Sequence, residues 1–344
     1  MPYLPVTVMH MMRQDLRGRS LELICADDGS SDGSLEFLLE IAKLLAERAI
    51  VHVIEGEETT APSTNPALIQ ELRADEAKDH PSFVDQDVPT EVLQLRERPL
   101  TAQDVFAQCC KDHKLKILLF KDRKNRGQGA AMSLCFSYCS APFIAQMESD
   151  DERERTDAFF IMLEALKKNI DWDAVSCRVQ CVGWNRPGMD RYVDWQNQLL
   201  SPEENQKGRF IEIPALHQTA MFRKSSIFKV NGGKYRDGTQ PGCELDVPVD
   251  MNFWLEFFHV GMRCGKVPDV LLGWRQHPRQ HTRTHGRLSI PNLRKIKIDF
   301  LLRPGGPAHV HAVQVWSVGL TLEEWARDLA AHKHAPPALQ QVEW

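Results

Sequence analysis

The chain has 344 residues, 42% of them hydrophobic, with 42 Lys and Arg against 47 Asp and Glu and a net charge of −5. This is the balance of a globular protein, and a mildly acidic chain without a long basic stretch excludes nucleic acid as its main partner. No apolar run is long enough for a membrane span, and Met1-Pro2-Tyr3-Leu4-Pro5 lacks the charged lead and long apolar core of a secretory signal, which points to a cytoplasmic protein.

Leu4, Val8 and Met11/Met12 are spaced as on a helix; the competing reading makes Val6-Thr7-Val8 a short strand. Residues 21–26 are an apolar run that reads as a buried strand, ending on Asp27 and Asp28. Gly29-Ser30-Ser31-Asp32-Gly33-Ser34 then suits a tight turn and a helix N-cap. Leu35, Leu38, Leu39, Ala42 and Leu45 mark an amphipathic helix over residues 35–48. Residues 55–104 break the pattern. They hold twelve acidic against four basic residues with no sustained apolar period, which predicts a solvated, partly disordered insertion outside the core. A short helix is expected at residues 105–110 and a strand at 116–120.

A further strand at residues 142–147 ends in Glu148-Ser149-Asp150-Asp151-Glu152. A helix follows at 156–168 and a strand at 174–182, and residues 183–208 read as loop-rich. A strand at 220–223 leads into a turn or helix at 224–229. A helix at 250–260 carries Phe253, Trp254, Phe257 and Phe258 on its apolar side. A late strand is expected at 270–274, and beyond Pro291 the chain reads as helical with a break at Gly305. There is no internal repeat. The nine cysteines form no Cys-x-x-Cys pair and read as reduced, mostly buried thiols.

Strands alternating with helices imply an α/β fold, in which ligands bind at the carboxyl ends of strands. Both acidic clusters fall at such ends. A carboxylate there can accept from ribose hydroxyls or from the imide N–H of uracil. Four carboxylates within residues 148–152 repel one another if buried without a cation, and hard oxygen ligands suit Mg²⁺ or Mn²⁺. The competing reading is a solvated loop before a helix. Between the clusters, Asn125-Arg126-Gly127-Gln128-Gly129-Ala130-Ala131 offers glycines that allow close backbone approach. His277, His281 and His285 are four apart, but Pro278 and the surrounding Arg and Thr argue for a loop rather than a zinc site.

The succession DDGSSDGS, NRGQGAA and ESDD resembles the family 2 glycosyltransferases of the GT-A fold. Cys177-Arg178-Val179, the segment Asp190 to Leu199 and Ser201-Pro202-Glu203-Glu204 resemble a β-1,3-N-acetylglucosaminyltransferase-like group. The resemblance implies an α/β GT-A fold with a mixed central sheet flanked by helices. It implies a glycosyltransferase domain over residues 1–285, interrupted by the insertion, and a helical extension over 286–344. It further implies an inverting, metal-dependent transfer from a UDP-sugar, with UDP-GlcNAc one candidate, to an unidentified glycan or other hydroxyl acceptor.

By the same resemblance, Asp28 accepts from the uracil N–H and Asp27 supports the turn. Asn125, Arg126 and Gly127 line the donor site. Asp150 sits at the ribose, and Asp151, with Asp150, binds Mn²⁺ or Mg²⁺. Glu148 stands where relatives carry Asp. Asp250, in Pro248-Val249-Asp250-Met251-Asn252-Phe253-Trp254, matches the catalytic base, with a helix cap as the other reading; Val249 replaces the usual Glu. Arg275 and His277 match a segment that approaches the diphosphate. The family's fold opens with a strand and a nucleotide-contacting turn, and these are not evident ahead of Leu21. An inactive relative acting as a binding or scaffold module therefore stands as the alternative. A nucleotidyltransferase of similar topology is disfavoured because no Gly-rich basic phosphate loop is visible.

Overall fold

The computed structural model describes residues 2–55, 58–59, 99–120, 122–184, 187–235, 248–278, 280, 286–307, 315 and 320–336. Its architecture is mixed α/β, as expected, with the strands apportioned to two four-stranded sheets rather than one. In the first, β4 (Lys114–Phe120) lies between β1 (Glu22–Asp27) and β2 (Ala49–Glu55), parallel to both, and the two-residue β3 (Glu58–Thr59) pairs antiparallel with β2. In the second, the order is β5 (Phe143–Ala145), β7 (Met221–Arg223), β6 (Ala174–Gly183) and β8 (Cys264–Gln276), and only β6 and β8 pair in parallel.

The first sheet is covered on both faces, as parallel strands require. On one face α1 (Leu4–Met12), α2 (Ser34–Leu45) and α3 (Ala102–Phe106) bury Val8, Met12, Leu38, Leu45 and Val105 against Val51, Leu115 and Ile117. On the other, α4 (Gln128–Tyr138) lays Leu134, Cys135 and Tyr138 against Ile54, Leu118 and Phe120. In the second sheet, α5 (Ala158–Lys168) packs on β6 and β8 through Met162 and Leu166. The aromatic side of α9 (Val249–His259), with Phe253, Trp254 and Phe257, packs on Ile144 and Phe222. Helix α10 (Ile290–Leu302) adds Ile296 and Phe300 to that same cluster. Its Arg294 pairs with Glu324 and Asp328 of α11 (Leu320–Ala331).

Several boundaries differ from the sequence reading. Residues 4–12 are helical, with Pro5 in the first turn, and Val6–Val8 is not a strand. Strand β2 was not read at all, although Ala49-Ile50-Val51-His52-Val53-Ile54 is a β-branched apolar run of the kind that forms strands. Residues 183–208 are not loop-rich. They hold α6 (Pro187–Gln198) and α7 (Pro202–Gly208), the latter opened by a Ser201/Glu204 capping box. Strand β8 runs 13 residues rather than five because it spans both α9's exit and the site. The short helix expected at 105–110 lies at Ala102–Phe106, with Ala102 and Val105 buried, so the end of the expected insertion belongs to the core. Residues 60–98 of that insertion lie outside the described residues, as do His281 and His285. The eight described cysteines are free thiols, but only Cys177 and Cys264 are fully buried. Among the described residues no helix is long and apolar enough to cross a membrane.

Candidate active site

Strand β1 delivers Asp27 and Asp28 to its carboxyl end, and the two side chains part ways there. Asp27 is buried at 3% exposure. Its Oδ2 accepts from the Gly29 and Ser30 amides and from Arg123 Nη1 at 2.9 Å. It holds the turn. Gly29 takes φ +82°, and a Cβ there would lie 2.4 Å from the Arg123 carbonyl oxygen, so only glycine lets the two loops close on each other. Asp28 points across to the glycine loop. Its two oxygens accept from the Arg126 and Gly127 amides at 2.8 and 2.7 Å. Burial raises its pKa against the pull of those two bonds.

The loop is shaped by its own side chains. Asn125 Oδ1 accepts from the Gly127 amide at 3.0 Å, and Gly127 takes φ +89° immediately before α4. Arg126 lies over the Phe120 ring and pairs with Asp122. The first side chain of α4, Gln128, donates to Glu148 Oε1 at 3.2 Å. The ends of β1 and β5 are thereby joined through residues 127–128.

The second acidic cluster is clamped from three sides. From α1, Thr7 Oγ1 lies 3.0 Å from the Ser149 carbonyl and 2.8 Å from that of Asp151. From β8, the Arg275 amide donates to Asp151 Oδ1 at 2.8 Å and its Nε donates to the Asp150 carbonyl at 2.9 Å. His277 Nε2 meets Asp150 Oδ2 at 3.0 Å. The Tyr3 ring lies tilted against His277 and under the Arg275 guanidinium. Beneath the loop, Arg153 is fully buried and donates to the Leu271 and Gln218 carbonyls.

Asp151 is 1% exposed. Burial, then the charges of Asp150 and Glu148, holds its carboxyl well above the ordinary range. Its Oδ2 is buried with no hydrogen-bond partner, with Gln218 nearby. Glu148 is pushed up to about 7 by burial and by Asp150 and Asp250.

Asp250 sits in the first turn of α9 behind the cap residue Pro248, so the N-cap reading is corrected. Its Oδ1 accepts from the Met251 amide at 2.8 Å. Burial, with help from Glu212, raises its pKa to about 6. It is close enough to Glu148 for the two charges to oppose each other. Beside Glu148 runs a buried polar chain: His217 Nδ1 and Gln146 Oε1 flank the Tyr235 hydroxyl at 3.1 and 3.0 Å, and Gln146 reaches toward Glu148.

The structure thus brings Asp28, Asn125, Arg126 and Gly127 to one point and Asp150, Asp151, Arg275 and His277 to another, with Glu148 between and Asp250 facing Glu148. Asp27 supports the turn, as expected, whereas the Arg275 side chain, expected at the diphosphate, is engaged by the protein. Asp27 is committed to Arg123 and its turn, and the Arg275 guanidinium is paired with Glu152. Sequence reasoning missed Tyr3, Thr7, Gln146, Arg153, His217 and Tyr235. Only Gln146 and Arg153 carried a signal, as polar residues immediately flanking an apolar strand and its acidic end.

No family model matches the chain. It is 27% identical over 209 residues to the UDP-Gal:alpha-D-GlcNAc-diphosphoundecaprenol beta-1,3-galactosyltransferase of Escherichia coli, covering 58% of this chain and 70% of that protein. Among solved structures, S. aureus TarS residues 1–349 with UDP-GlcNAc aligns at a TM-score of 0.44 and 13% identity, over 93% of this chain and 83% of that one. A mannosyltransferase from Pyrobaculum calidifontis, PcManGT, in complex with GDP-Man and Mn²⁺, aligns at a TM-score of 0.36 and 14% identity, over 90% and 84%.

Proposed function

We propose that the chain is a glycosyltransferase of the family 2 kind, taking its sugar from a UDP-sugar with the help of Mn²⁺ or Mg²⁺ and inverting the anomeric centre. The observation that carries this reading is the convergence of strand-end carboxylates, Asp28, Glu148 and Asp150, opposite a half-buried acid, Asp250, whose pKa is raised to about 6. The similarity to a beta-1,3-galactosyltransferase that uses UDP-Gal supports the same donor class.

Asp28 keeps lone pairs beyond its two backbone bonds and accepts from the uracil imide. The amino end of α4, opened by Gly127, attracts the diphosphate through its unpaired N–H groups. Asp150 and Asp151 would hold the cation, and the buried, unpartnered Oδ2 of Asp151 is an oxygen that a divalent ion satisfies. Among the described residues no three His, Cys, Asp or Glu side chains form a ready metal cage, so the remaining ligands fall to the phosphates. When bound, the cation supplies charge compensation for the departing UDP. Arg275 and His277 act on Asp150 and Asp151 by fixing their orientation.

Asp250 is the base. Its Oδ1 is occupied by the Met251 amide, so Oδ2 takes the proton of the acceptor hydroxyl. The hydroxyl oxygen then bonds to the anomeric carbon as the bond from that carbon to the UDP oxygen breaks. One displacement gives inversion. A base poised near pH 6 is suited to this step at neutral pH.

The test is UDP release from UDP-GlcNAc and from UDP-Gal in the presence of mixed glycan acceptors. Acceptor-dependent release from one donor, lost in Asp250→Asn, is expected. A second reading, a nucleotide-sugar-binding protein without turnover, is favoured by the Arg275–Glu152 pair, which removes a cation from the donor side. UDP binding without any release would select it.

A further inference from the structure

Glu148 stands between the two groups of the site. The charges of Asp150 on one side and of Asp250 on the other both act on it. On the proposed reading the transferred sugar lies there too, because its anomeric carbon joins the departing UDP to the hydroxyl that Asp250 deprotonates. A half-buried glutamate opposed by two carboxylates, on a side chain with several rotors, keeps one position only if other groups hold it.

Two amides converge on one of its oxygens. Gln128 Nε2, from the first turn of α4, donates to Glu148 Oε1 at 3.2 Å, and Gln146 Nε2 approaches the same oxygen at 3.5 Å. Oε2 has no hydrogen-bond partner among the described residues. Gln146 is buried and is fixed from behind. The Tyr235 hydroxyl donates to its Oε1 at 3.0 Å, and His217 Nδ1 lies 3.1 Å from that hydroxyl. The direction of the chain follows from its end at Glu148. An accepting carboxyl oxygen turns the Gln146 amide nitrogen toward itself and the amide oxygen toward Tyr235. The hydroxyl proton therefore goes to Gln146, so His217 donates from Nδ1 and keeps its lone pair on Nε2. Burial enforces that neutral ring by pushing the His217 pKa down to about 3.

The far end of the chain is anchored in the aromatic core. The Tyr235 amide donates to Ser133 Oγ of α4 at 2.9 Å. Its ring stacks on Phe253 of α9 with centroids 4.9 Å apart and lies tilted against Phe136 of α4. The His217 ring stands edge-on to Phe253 and Trp254. Side chains locked by packing pass their position along the bonds they make.

We propose that Tyr235 is a positioning residue: through Gln146 it sets the Glu148 carboxyl so that Oε2 accepts from a hydroxyl of the nucleotide-linked sugar. Glu148 then reads the sugar and not the nucleotide. The proposal rests on the glycosyltransferase reading for the presence of that sugar.

The experiment titrates UDP, UDP-GlcNAc and UDP-Gal into the full chain with Mn²⁺. The parent is compared with Tyr235→Phe, Gln146→Met, Glu148→Ala and the Tyr235→Phe/Glu148→Ala double variant. Tyr235→Phe deletes one oxygen and keeps the ring between Phe136 and Phe253. It is expected to weaken binding of the UDP-sugar by roughly tenfold, the weight of one hydrogen bond, and binding of UDP by less than about twofold. Gln146→Met keeps the length of the side chain and leaves Tyr235 in place, and should show the same selective loss. With Glu148→Ala already present, Tyr235→Phe should weaken UDP-sugar binding no further. A merely structural role lowers affinity for UDP and UDP-sugar alike, so equal weakening of the two overturns the proposal. Parental UDP-sugar affinity in Tyr235→Phe, or additivity with Glu148→Ala, overturns it as well. Protein carrying ¹⁵N-labelled histidine gives a check without ligand. The ring-nitrogen shifts of His217 are expected to mark the Nδ1–H tautomer, and the Nε2–H tautomer would overturn the direction of the chain. A parent that binds neither UDP nor either UDP-sugar contradicts the glycosyltransferase reading itself, and the proposal falls with it.

Discussion

On the proposed reading, Asp250 ties chemistry and stability together in one carboxyl group. Its pKa is raised to about 6, so the fold favours the protonated form relative to an unfolded aspartate. The stability this contributes is complete below the unfolded value near 4 and is lost as pH rises through about 6. As the proposed base, in contrast, it works only when ionised. Transfer is therefore expected to rise with pH through about 6 and then level off, while the same group's share of stability falls. Asp250→Asn removes both effects. It should melt at or above the parent temperature at pH 8 and lose transfer by roughly a hundredfold or more. Near-parental transfer in this variant would assign the deprotonation to another group. The role of Asp28 is more local. Asp28→Asn keeps two oxygen and nitrogen positions but can accept with only one of them, so the Arg126 and Gly127 amides can no longer both be held. Weaker UDP binding is expected, read by titration, with unfolding temperature changed far less.

At the scale of elements, the turn after β1 depends on a single glycine. Gly29→Ala sets a Cβ 2.4 Å from the Arg123 carbonyl at φ +82°. The backbone strain alone costs about 1–3 kcal/mol, and thermal unfolding should fall accordingly, with UDP affinity falling too because the loop carrying Asn125–Gly127 shifts. An unchanged melting temperature would show that the two loops are not locked as described. This turn was legible in the sequence because apolar strand, paired carboxylates, small residues and amphipathic helix each leave a local mark. So were β4, α5, α9 and the Glu148–Asp151 cluster. Strand β2 was hidden by its adjacency to an acidic segment. Helices α6 and α7 were hidden by scattered aromatics, though Ser201-Pro202-Glu203-Glu204 is a capping box in plain view. What the sequence could not show is which charges neutralise each other. The pairing of Arg275 with Glu152, the bonds from buried Arg153 to the Leu271 and Gln218 carbonyls and the Tyr235–Gln146 chain join residues distant in sequence.

Over the whole molecule, the two sheets are held together around the site rather than by a shared strand among the described residues. Thr7 of α1 grips the loop after β5, Gln128 links the ends of β1 and β5, and α9 with its aromatic cluster supports the far side. Trp254 is fully buried at the centre of that cluster, stacked on Phe258 and edge-on to Phe257. Trp254→Ala is expected to cost about 3–5 kcal/mol, read from denaturant unfolding; a loss below 1 kcal/mol would show that α9 is not anchored there. The central claim is that the strand-end carboxylates form a cation-dependent site for a uridine diphosphate. It is tested most directly by calorimetric titration of UDP into the full chain, with Mn²⁺ and then with EDTA, for the parent and for Asp150→Asn. The account predicts binding by the parent with Mn²⁺, its loss with EDTA, and affinity lower by at least about tenfold in Asp150→Asn. Equal affinity in Mn²⁺ and EDTA, or no UDP binding in either, would contradict it.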